Sequence, residues 1–270
     1  MKKVLNFLLI LFLIVGLGYI FVPPFLYDVN SLKNHTPELT ALMRHRIESA
    51  KKNKKSYKIY KTYVPLSRIS PYLVKAVLIA EDDKFYRHEG FDLEGIKIAL
   101  EKNIKKKKLQ YGGSTISQQL AKNLFLGPRK TLIRKIQEAV LTIRIEKKLT
   151  KKRILELYLN IAEWGPGIFG AEGASRFYFQ KPALNLTPEE AALLASVLPN
   201  PLKYNPSNPS RYVKRRAEKI LYIMKLRNII PEEYEKTEES QKEVVTLPDS
   251  DSILRELPHD SLEPSDRLRE

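Results

Sequence analysis

A run of 19 residues without a charged side chain, from Val4 to Val22, constrains this chain more than any other feature. At ~1.5 Å per residue, a helix of that length spans about 28 Å, which is close to the ~30 Å hydrocarbon thickness of a bilayer. A cleaved signal peptide usually has a shorter apolar core, of about 7–15 residues, that ends at small residues. This run ends instead in Phe-Val-Pro-Pro. We therefore predict an uncleaved transmembrane anchor over residues 4–22.

The two lysines before this run predict its orientation. Lys2 and Lys3 favour a cytoplasmic N-terminus over residues 1–3, because basic residues beside a membrane helix tend to stay inside. Long domains cross the membrane largely regardless of their charge, so the basic residues that follow do not reverse the prediction. We expect a single-pass protein of the inner (cytoplasmic) membrane whose main domain lies on the periplasmic, extracytoplasmic side.

Charge is spread unevenly along the chain. The 47 basic and 31 acidic residues give a net charge of +16. Residues 232–270 hold 13 acidic and 5 basic side chains, a net charge of −8, which leaves +24 on residues 1–231. The basic part favours a polyanionic partner such as nucleic acid, anionic lipid or a phosphorylated substrate. The acidic tail, with few aromatic residues, is expected to be disordered.

The sequence argues against cysteine chemistry, a histidine-built metal site and a nucleic-acid partner. The chain has no cysteine, which excludes disulfides, thiolate zinc sites and cysteine nucleophiles. Its histidines show no H-x-x-x-H spacing, so we expect no His-built metal site. We expect no nucleic-acid partner, because aromatic-interleaved basic motifs are missing and the export signal carries the domain out of the cytoplasm.

The spacing of apolar residues predicts a mainly α fold. Residues 23–63 form a Lys-rich membrane-proximal segment with one helix, and residues 64–231 form the main domain. Ser70-Pro71 is typical of a helix start, as is the capping box that begins at Thr187. Further helices are expected to start at Asp92, Ser114, Thr131, Thr150 and Ser210.

The first polar cluster that suggests chemistry begins at Glu81. This carboxylate follows the apolar stretch Ala76 to Ala80 and precedes aromatic residues. At the end of a buried helix it would be partly desolvated, which raises the pKa and suits proton abstraction. A solvated helix end is the alternative interpretation.

Two further clusters are open to similar alternatives. Thr115, Gln118 and Lys122 share one face of a predicted helix near its N-terminus, and so could bind an anionic, oxygen-rich ligand. An ordinary amphipathic helix would look the same. Arg134 and Glu138 are four residues apart, which fits a surface ion pair worth only about 0.3–0.5 kcal/mol.

Taken in order, the motifs are far more specific than any one of them. The chain contains Glu-Asp-x-x-Phe-x-x-His-x-Gly-x-Asp from residue 81, Gly-Gly-Ser-Thr-Ile-Ser-Gln-Gln-Leu-x-Lys-Asn from residue 112, Arg-Lys-x-x-Glu from residue 134 and Ile-Leu-Glu-x-Tyr-Leu-Asn from residue 154. This series resembles the peptidoglycan glycosyltransferases of family 51, over about residues 64–201. Residues 161–179 resemble the monofunctional biosynthetic transglycosylase branch.

The resemblance implies a lysozyme-like α-helical domain, with a small lobe facing the membrane, that polymerises lipid II into glycan strands. It makes Glu81 the catalytic base and Glu138 the second essential glutamate. It assigns the cations Lys122, Arg134 and Lys135 to the departing pyrophosphate, where fixed positive charge stabilises the developing negative charge. The other motif positions implied to bind substrate are Asp82, Phe85, His88, Ser114, Thr115, Gln118, Gln119 and Asn123.

One position departs from the family pattern. Eight residues after Lys122 the family usually has arginine, whereas this chain has Lys130, preceded by Arg129. Lysine keeps the charge but loses the bidentate fork, so either residue could contact the pyrophosphate. No cofactor is expected to be required, although a divalent cation, Mg²⁺ or Mn²⁺, could assist.

Other classes of protein share some of these sequence features. A muramidase or lytic transglycosylase would share the scaffold but would not need the cations, and a membrane-tethered scaffold would not need the acids. Ser49 and Lys52 match S-x-x-K, but S-D-N and K-T-G are missing and 69 residues follow Pro201, so we expect no transpeptidase activity. The glycines from Gly165 match G-x-G-x-x-G but follow a helix-like stretch, which disfavours a dinucleotide site. Expected partners are lipid II, the lipid-linked glycan chain, the membrane and other cell-wall synthesis proteins.

Overall fold

The computed structural model describes residues 2–106 and 113–230. Its first element, α1 (Lys2–Leu26), is a 25-residue helix. Its segment Lys3–Leu26 contains an 18-residue window with a mean hydropathy of 2.6 and no buried residue. This helix is long and apolar enough to cross a membrane, and it extends beyond the predicted run at both ends. The acidic tail over 232–270 lies outside the described residues.

The rest of the described chain is mainly helical, which confirms the predicted fold class. Helices account for most of its length, and short loops join them. The helices are α2 (Ala41–Lys52), α3 (Pro71–Glu81), α4 (Leu93–Lys106), α5 (Ile116–Ala121), α6 (Leu132–Lys148), α7 (Lys151–Ile161), α8 (Ala171–Phe179), α9 (Pro188–Val197) and α10 (Arg211–Leu226).

Local capping chemistry explains where most of these helices begin. Ser70 caps α3 with Pro71 at the first turn, and Thr187 forms the predicted capping box with Glu190. The caps predicted at Thr131, Thr150 and Ser210 are confirmed. One prediction was wrong by a residue: α5 is capped by Thr115, not by Ser114.

A small sheet joins the segment before the main domain to the domain itself. Its strands are β1 (Tyr60–Lys61), β2 (Glu163–Gly165) and β3 (Ile168–Phe169), in the order β1-β3-β2. β1 runs parallel to β3, and β2 runs antiparallel to β3. Arg46 of α2 makes a bidentate contact with the buried Glu163 carboxylate, with Nη2 at 2.7 Å from Oε2. Residues 23–63 therefore belong to the same compact unit as the domain that follows.

The G-x-G-x-x-G sequence lies in this sheet. Gly165 ends β2, so the expectation that a helix-like stretch precedes it was wrong. Gly167 and Gly170 both have φ of +79°, and a Cβ on Gly167 would lie 2.4 Å from the Lys58 carbonyl oxygen. The glycines are thus needed for a tight hairpin and the chain that leaves it. The hairpin is not the strand, loop and helix of a dinucleotide site.

The core lies around two groups of helices. In one, α9 packs against α3 and α10, with Leu73, Leu194 and Met224 fully buried. In the other, α5 lies against α6 and α7. This arrangement brings the end of α3 beside α5 and α10, and the first half of α6 beside the end of α5.

The C-terminal end of α1 packs against α6. Pro23 has no N–H, so the Tyr19 carbonyl loses its helical donor, and Gln137 Nε2 lies 3.5 Å from that oxygen. Seven residues later, Arg144 donates to the Pro24 carbonyl, and its guanidinium lies 5.3 Å from the centre of the Phe25 ring. Side chains from one face of α6 thus satisfy backbone groups at the end of α1.

Candidate active site

Glu81 is the last residue of α3, and its side chain is 11% exposed. Each carboxylate oxygen has one donor: Gln119 Nε2 lies 2.8 Å from Oε2, and Arg216 Nη2 lies 3.3 Å from Oε1. Burial raises the pKa of this carboxyl group, while the Gln119 hydrogen bond and the charges of Arg216 and Lys122 oppose the rise. The structure therefore confirms the desolvated helix-end carboxylate expected from the sequence.

Tyr158 fixes the orientation of the Gln119 amide. The Tyr158 hydroxyl donates to Gln119 Oε1 at 3.2 Å, so the NH₂ group of the amide faces Glu81. Tyr158 is 1% exposed, and burial, followed by the charges of Glu81 and Asp82, raises its pKa well above the ordinary value. The hydroxyl therefore stays protonated and remains a donor. No role was assigned to Tyr158 in the sequence analysis, although it lies in the fourth motif.

Asp82 has protein partners on both carboxylate oxygens. Its Oδ2 accepts from the Ile116 backbone N–H at 2.9 Å, and His88 Nε2 lies 2.9 Å from Oδ1. His88 Nδ1 accepts from the Gly90 N–H at 3.1 Å, which assigns the His88 proton to Nε2. Asp82 is buried, and it ties the start of α5 to the end of α3. In this structure Asp82 and His88 are both bonded to groups of the protein next to Glu81 in the chain or at the start of α5.

Thr115 and Gln118 are also buried and bond to each other. Gln118 N–H donates to Thr115 Oγ1 at 3.2 Å, and Thr115 N–H donates to Gln118 Oε1 at 3.0 Å. The Thr115 hydroxyl donates to the Gly90 carbonyl at 2.7 Å. The Thr115 hydroxyl and the Gln118 amide oxygen are thus used within the protein, whereas Lys122 is the charged member of the predicted ligand-binding face.

Phe85 and Asn123 are buried beside the same elements. Phe85 is 1% exposed, and Lys151 Nζ lies 4.6 Å from the centre of its ring. Asn123 is 8% exposed and follows Lys122. The Phe85 side chain is thus part of the packing that holds the site.

A buried ion cluster lies on the first half of α6. The Glu138 side chain is 3% exposed and accepts from Arg134 Nη1 at 2.5 Å and from Lys135 Nζ. Lys135 Nζ also donates to the Ser114 hydroxyl at 3.1 Å. The alternative interpretation, an ordinary surface ion pair between Arg134 and Glu138, does not fit this burial. Tertiary packing buries this carboxylate, and it holds two cations at once.

Lys122 lies near both carboxylates. It starts a π-helical segment, Lys122–Leu126, a feature frequent at functional sites. Burial lowers the pKa of its ammonium group, and the positive charges of Arg134 and Lys135 lower it further. The negative charges of Glu138 and Glu81 raise it, Glu138 more strongly. Among residues 2–106 and 113–230, no group forms a hydrogen bond or ion pair with its ammonium group. Lys122 is thus a cation within electrostatic range of both acids.

Arg129 and Lys130 lie in the exposed loop between Gly127 and the start of α6. In the part of the chain that the structure describes, neither has an ion-pair partner. Both side chains are accessible to an anion, and their positions do not distinguish which one would contact it. The choice between them stays open.

Arg216 is, like Tyr158, a functional residue that the sequence motifs did not predict. It lies on α10, and only the packing of α10 against α3 brings it to Glu81. No local motif marked it, because its helix is simply amphipathic and basic. Within the described ranges, no group of three or more His, Asp or Glu side chains is placed to hold a metal ion.

Comparison with known proteins agrees with this site. The family model described as Transglycosylase matches residues 48–225, which include every residue of the site described above. A biosynthetic peptidoglycan transglycosylase of Azoarcus sp. (strain BH72) is 54% identical over 175 residues, covering 65% of this chain and 76% of the relative. Proteins of the same name from Alcanivorax borkumensis and Nitrosomonas eutropha are 44% identical over 225 residues and 42% identical over 211 residues. These two matches cover 83% and 78% of this chain, and 88% and 86% of the relatives. The match to the family model and the length of these alignments show that the chain belongs to the transglycosylase family.

Proposed function

We propose that this chain is a peptidoglycan glycosyltransferase that polymerises lipid II into glycan strands. The observation that carries the proposal is the convergence of a desolvated carboxylate, Glu81, with a cluster of cations around Glu138. These groups are distant along the chain. The names of the relatives support the substrate class.

Glu81 is placed to act as the general base. It accepts the proton of the 4-hydroxyl group on the incoming lipid II sugar, and that oxygen attacks the anomeric carbon of the lipid-linked chain. The bond from this carbon to the pyrophosphate oxygen breaks, and the leaving group keeps its electron pair. Attack opposite the leaving group inverts the anomeric configuration. The products are a chain one disaccharide longer and undecaprenyl pyrophosphate.

Fixed cations stabilise the charge that develops on the leaving group. Lys122, Arg134 and Lys135 supply three positive charges, and Glu138 supplies one negative charge. Because Glu138 is buried and bonded to both Arg134 and Lys135, its role is to hold these side chains in one arrangement. The excess of positive charge matches a pyrophosphate.

The same cations make a protein metal site unnecessary for charge neutralisation. We expect turnover to persist in EDTA, with Mg²⁺ or Mn²⁺ modulating the rate through the pyrophosphate itself. Measuring polymerisation with EDTA, with Mg²⁺ and with Mn²⁺ tests this point. Complete loss of activity in EDTA, restored by either metal, would contradict it.

The helix α1 is apolar and long enough to span a bilayer, which fits a substrate that lies in the membrane. We propose that α1 is a single-pass anchor, with Lys2 and Lys3 on the cytoplasmic side and the domain outside. The chain has no cysteine, so single cysteines at Lys2 and Lys214 can each be probed with a membrane-impermeant thiol reagent. Labelling of the residue 214 variant alone in intact spheroplasts is expected. The reverse pattern would show the opposite orientation.

Incubation of the purified full chain with lipid II tests the function itself. We expect uncrosslinked glycan polymer and one undecaprenyl pyrophosphate per bond formed, with no transpeptidation. Shortening of preformed glycan strands without polymerisation would favour a lytic enzyme, and neither activity would favour a scaffold. Glu81→Gln should abolish polymerisation and leave folding and membrane insertion unchanged. An active Glu81→Gln variant would refute the base assignment.

A further inference from the structure

Arg216 contacts the end of α3 at two points. Its Nη2 atom donates to the Ala80 carbonyl at 3.0 Å and lies 3.3 Å from Glu81 Oε1. The Ala80 carbonyl belongs to the last turn of α3, where a helix leaves carbonyl groups without an internal donor. One nitrogen thus fixes both the helix end and the carboxylate that extends from it.

We propose that Arg216 is a positioning residue that holds the Glu81 carboxylate in place and in its ionised form. This inference rests on the proposed role of Glu81 as the base. A base must be deprotonated to accept a proton, and burial of Glu81 favours the protonated form. A neighbouring permanent cation offsets that preference.

The other groups around Glu81 cannot replace Arg216. Gln119 is neutral, Tyr158 is a neutral donor to Gln119, and Asp82 is a second negative charge beside Glu81. Lys122 is positive, but burial lowers its pKa and it lies near the Glu138 cluster. The guanidinium of arginine stays charged throughout the working pH range. Arg216 is therefore the cation whose charge serves Glu81.

The state of the Arg216 side chain supports a functional role. The side chain is 27% exposed, so its charge is only partly screened by water. Its Nε atom is buried and has no hydrogen-bond partner within the described residues. A side chain selected for stability alone would be expected to satisfy this donor. The packing of α10 on α3 instead aims the terminal nitrogen at Glu81.

The test is the pH dependence of kcat/KM on lipid II, which reports ionisations of the free enzyme. Arg216→Gln removes the charge, and we expect the acidic limb to move up by about one pH unit, since a nearby opposite charge lowers a carboxyl pKa by about 1–3 units. Activity below the limb should then fall about tenfold relative to wild type and recover as the pH rises. Arg216→Lys keeps the charge, so its limb should coincide with that of wild type.

A matched control is available on the same helix. Lys214 is exposed, and Lys214→Gln removes one positive charge from α10 without changing a residue that contacts Glu81. Its profile should overlay that of wild type. A shift equal to that of Arg216→Gln would assign the effect to net charge and overturn the inference.

Other outcomes separate this inference from the proposed function. An equal loss of activity at every pH in Arg216→Gln, or no loss, would overturn the role of Arg216. If Arg216→Gln does not fold, as judged by circular dichroism, Arg216→Lys decides the question, and a shifted limb in that variant contradicts the proposal. An inactive Glu81→Gln beside an unshifted Arg216→Gln profile would refute only the inference, whereas an active Glu81→Gln would refute the base itself.

Discussion

Replacing Glu138 by glutamine tests whether the ion cluster of α6 is a buried structural unit. The Glu138 side chain is 3% exposed and holds Arg134, which is 16% exposed, and Lys135, which is 45% exposed. Glutamine keeps the size of the side chain but leaves both cations without their counter-charge. The perturbation is therefore electrostatic, with little change in packing volume.

The expected cost follows from this burial. Removing one partner of a buried ion pair costs about 3–5 kcal/mol, because the other charge is left uncompensated. Water can reach the half-exposed Lys135 and replace part of its lost contact, so we expect the lower limit, about 3 kcal/mol. In a domain of this size, each 1 kcal/mol lowers the melting midpoint by about 2–4 °C. The midpoint of Glu138→Gln should thus fall by about 6–12 °C.

The assay is urea unfolding of the full chain in detergent, followed by circular dichroism, together with a thermal scan. The matched control is Glu94→Gln on α4, because Glu94 pairs with Lys84 at 2.5 Å but is 70% exposed. The control should match wild type. A loss in Glu138→Gln below about 1 kcal/mol, the range of surface pairs, would refute the reasoning from burial. Polymerisation should also fall, since Glu138 raises the pKa of Lys122 and its removal lowers the charge of that lysine.

The surroundings of Glu81, the Tyr158 hydrogen bond and the cap of α5 each give a further prediction. Because burial raises the pKa of Glu81, the acidic limb of kcat/KM should lie above the ordinary glutamate value of 4.5, and a limb at or below that value would contradict the desolvation argument. Tyr158→Phe removes a hydrogen bond to the Gln119 amide worth about 0.5–1.5 kcal/mol, so the amide can turn away from Glu81. We expect kcat to fall by up to about tenfold with an unchanged circular dichroism spectrum. An unaltered kcat would show that the amide does not need the Tyr158 hydroxyl. Thr115→Ala removes the cap of α5 and should lower the free energy of unfolding in urea by about 1–2 kcal/mol. Ser114→Ala should lower it much less. Equal losses in the two variants would mean that both residues cap the helix.

Helix starts were predictable because their chemistry is local. Ser70 and Thr187 satisfy backbone N–H groups two or three residues away, so the residues that matter lie within one turn. The error at α5 was avoidable on the same grounds. Thr115 is followed three residues later by Gln118, which is the capping-box spacing, whereas Ser114 is followed at that distance by Ser117.

Burial and long-range contacts were not predictable in this way. The sequence places Arg134 and Glu138 four residues apart on a helix but does not show which helix covers them. Arg216 lies 135 residues from Glu81, and its contact depends on how α10 packs against α3. The family resemblance marked Glu81 and Lys122 as site residues. The partners that hold Glu81 in place required the three-dimensional fold.

Pro23, near the end of α1, has a consequence for how the domain can sit on a membrane. Although the side chains of Phe21, Phe25 and Leu26 stay exposed, Gln137 contacts the Tyr19 carbonyl, so α6 holds the end of α1 from that residue onward. Gln137 meets Tyr19 and Arg144 meets Pro24, so α6 runs alongside α1 in the same direction. The exposed Leu132 and Ile133 in the first turn of α6 therefore lie towards the N-terminal end of α1, so a bilayer crossed by α1 would also meet these two side chains.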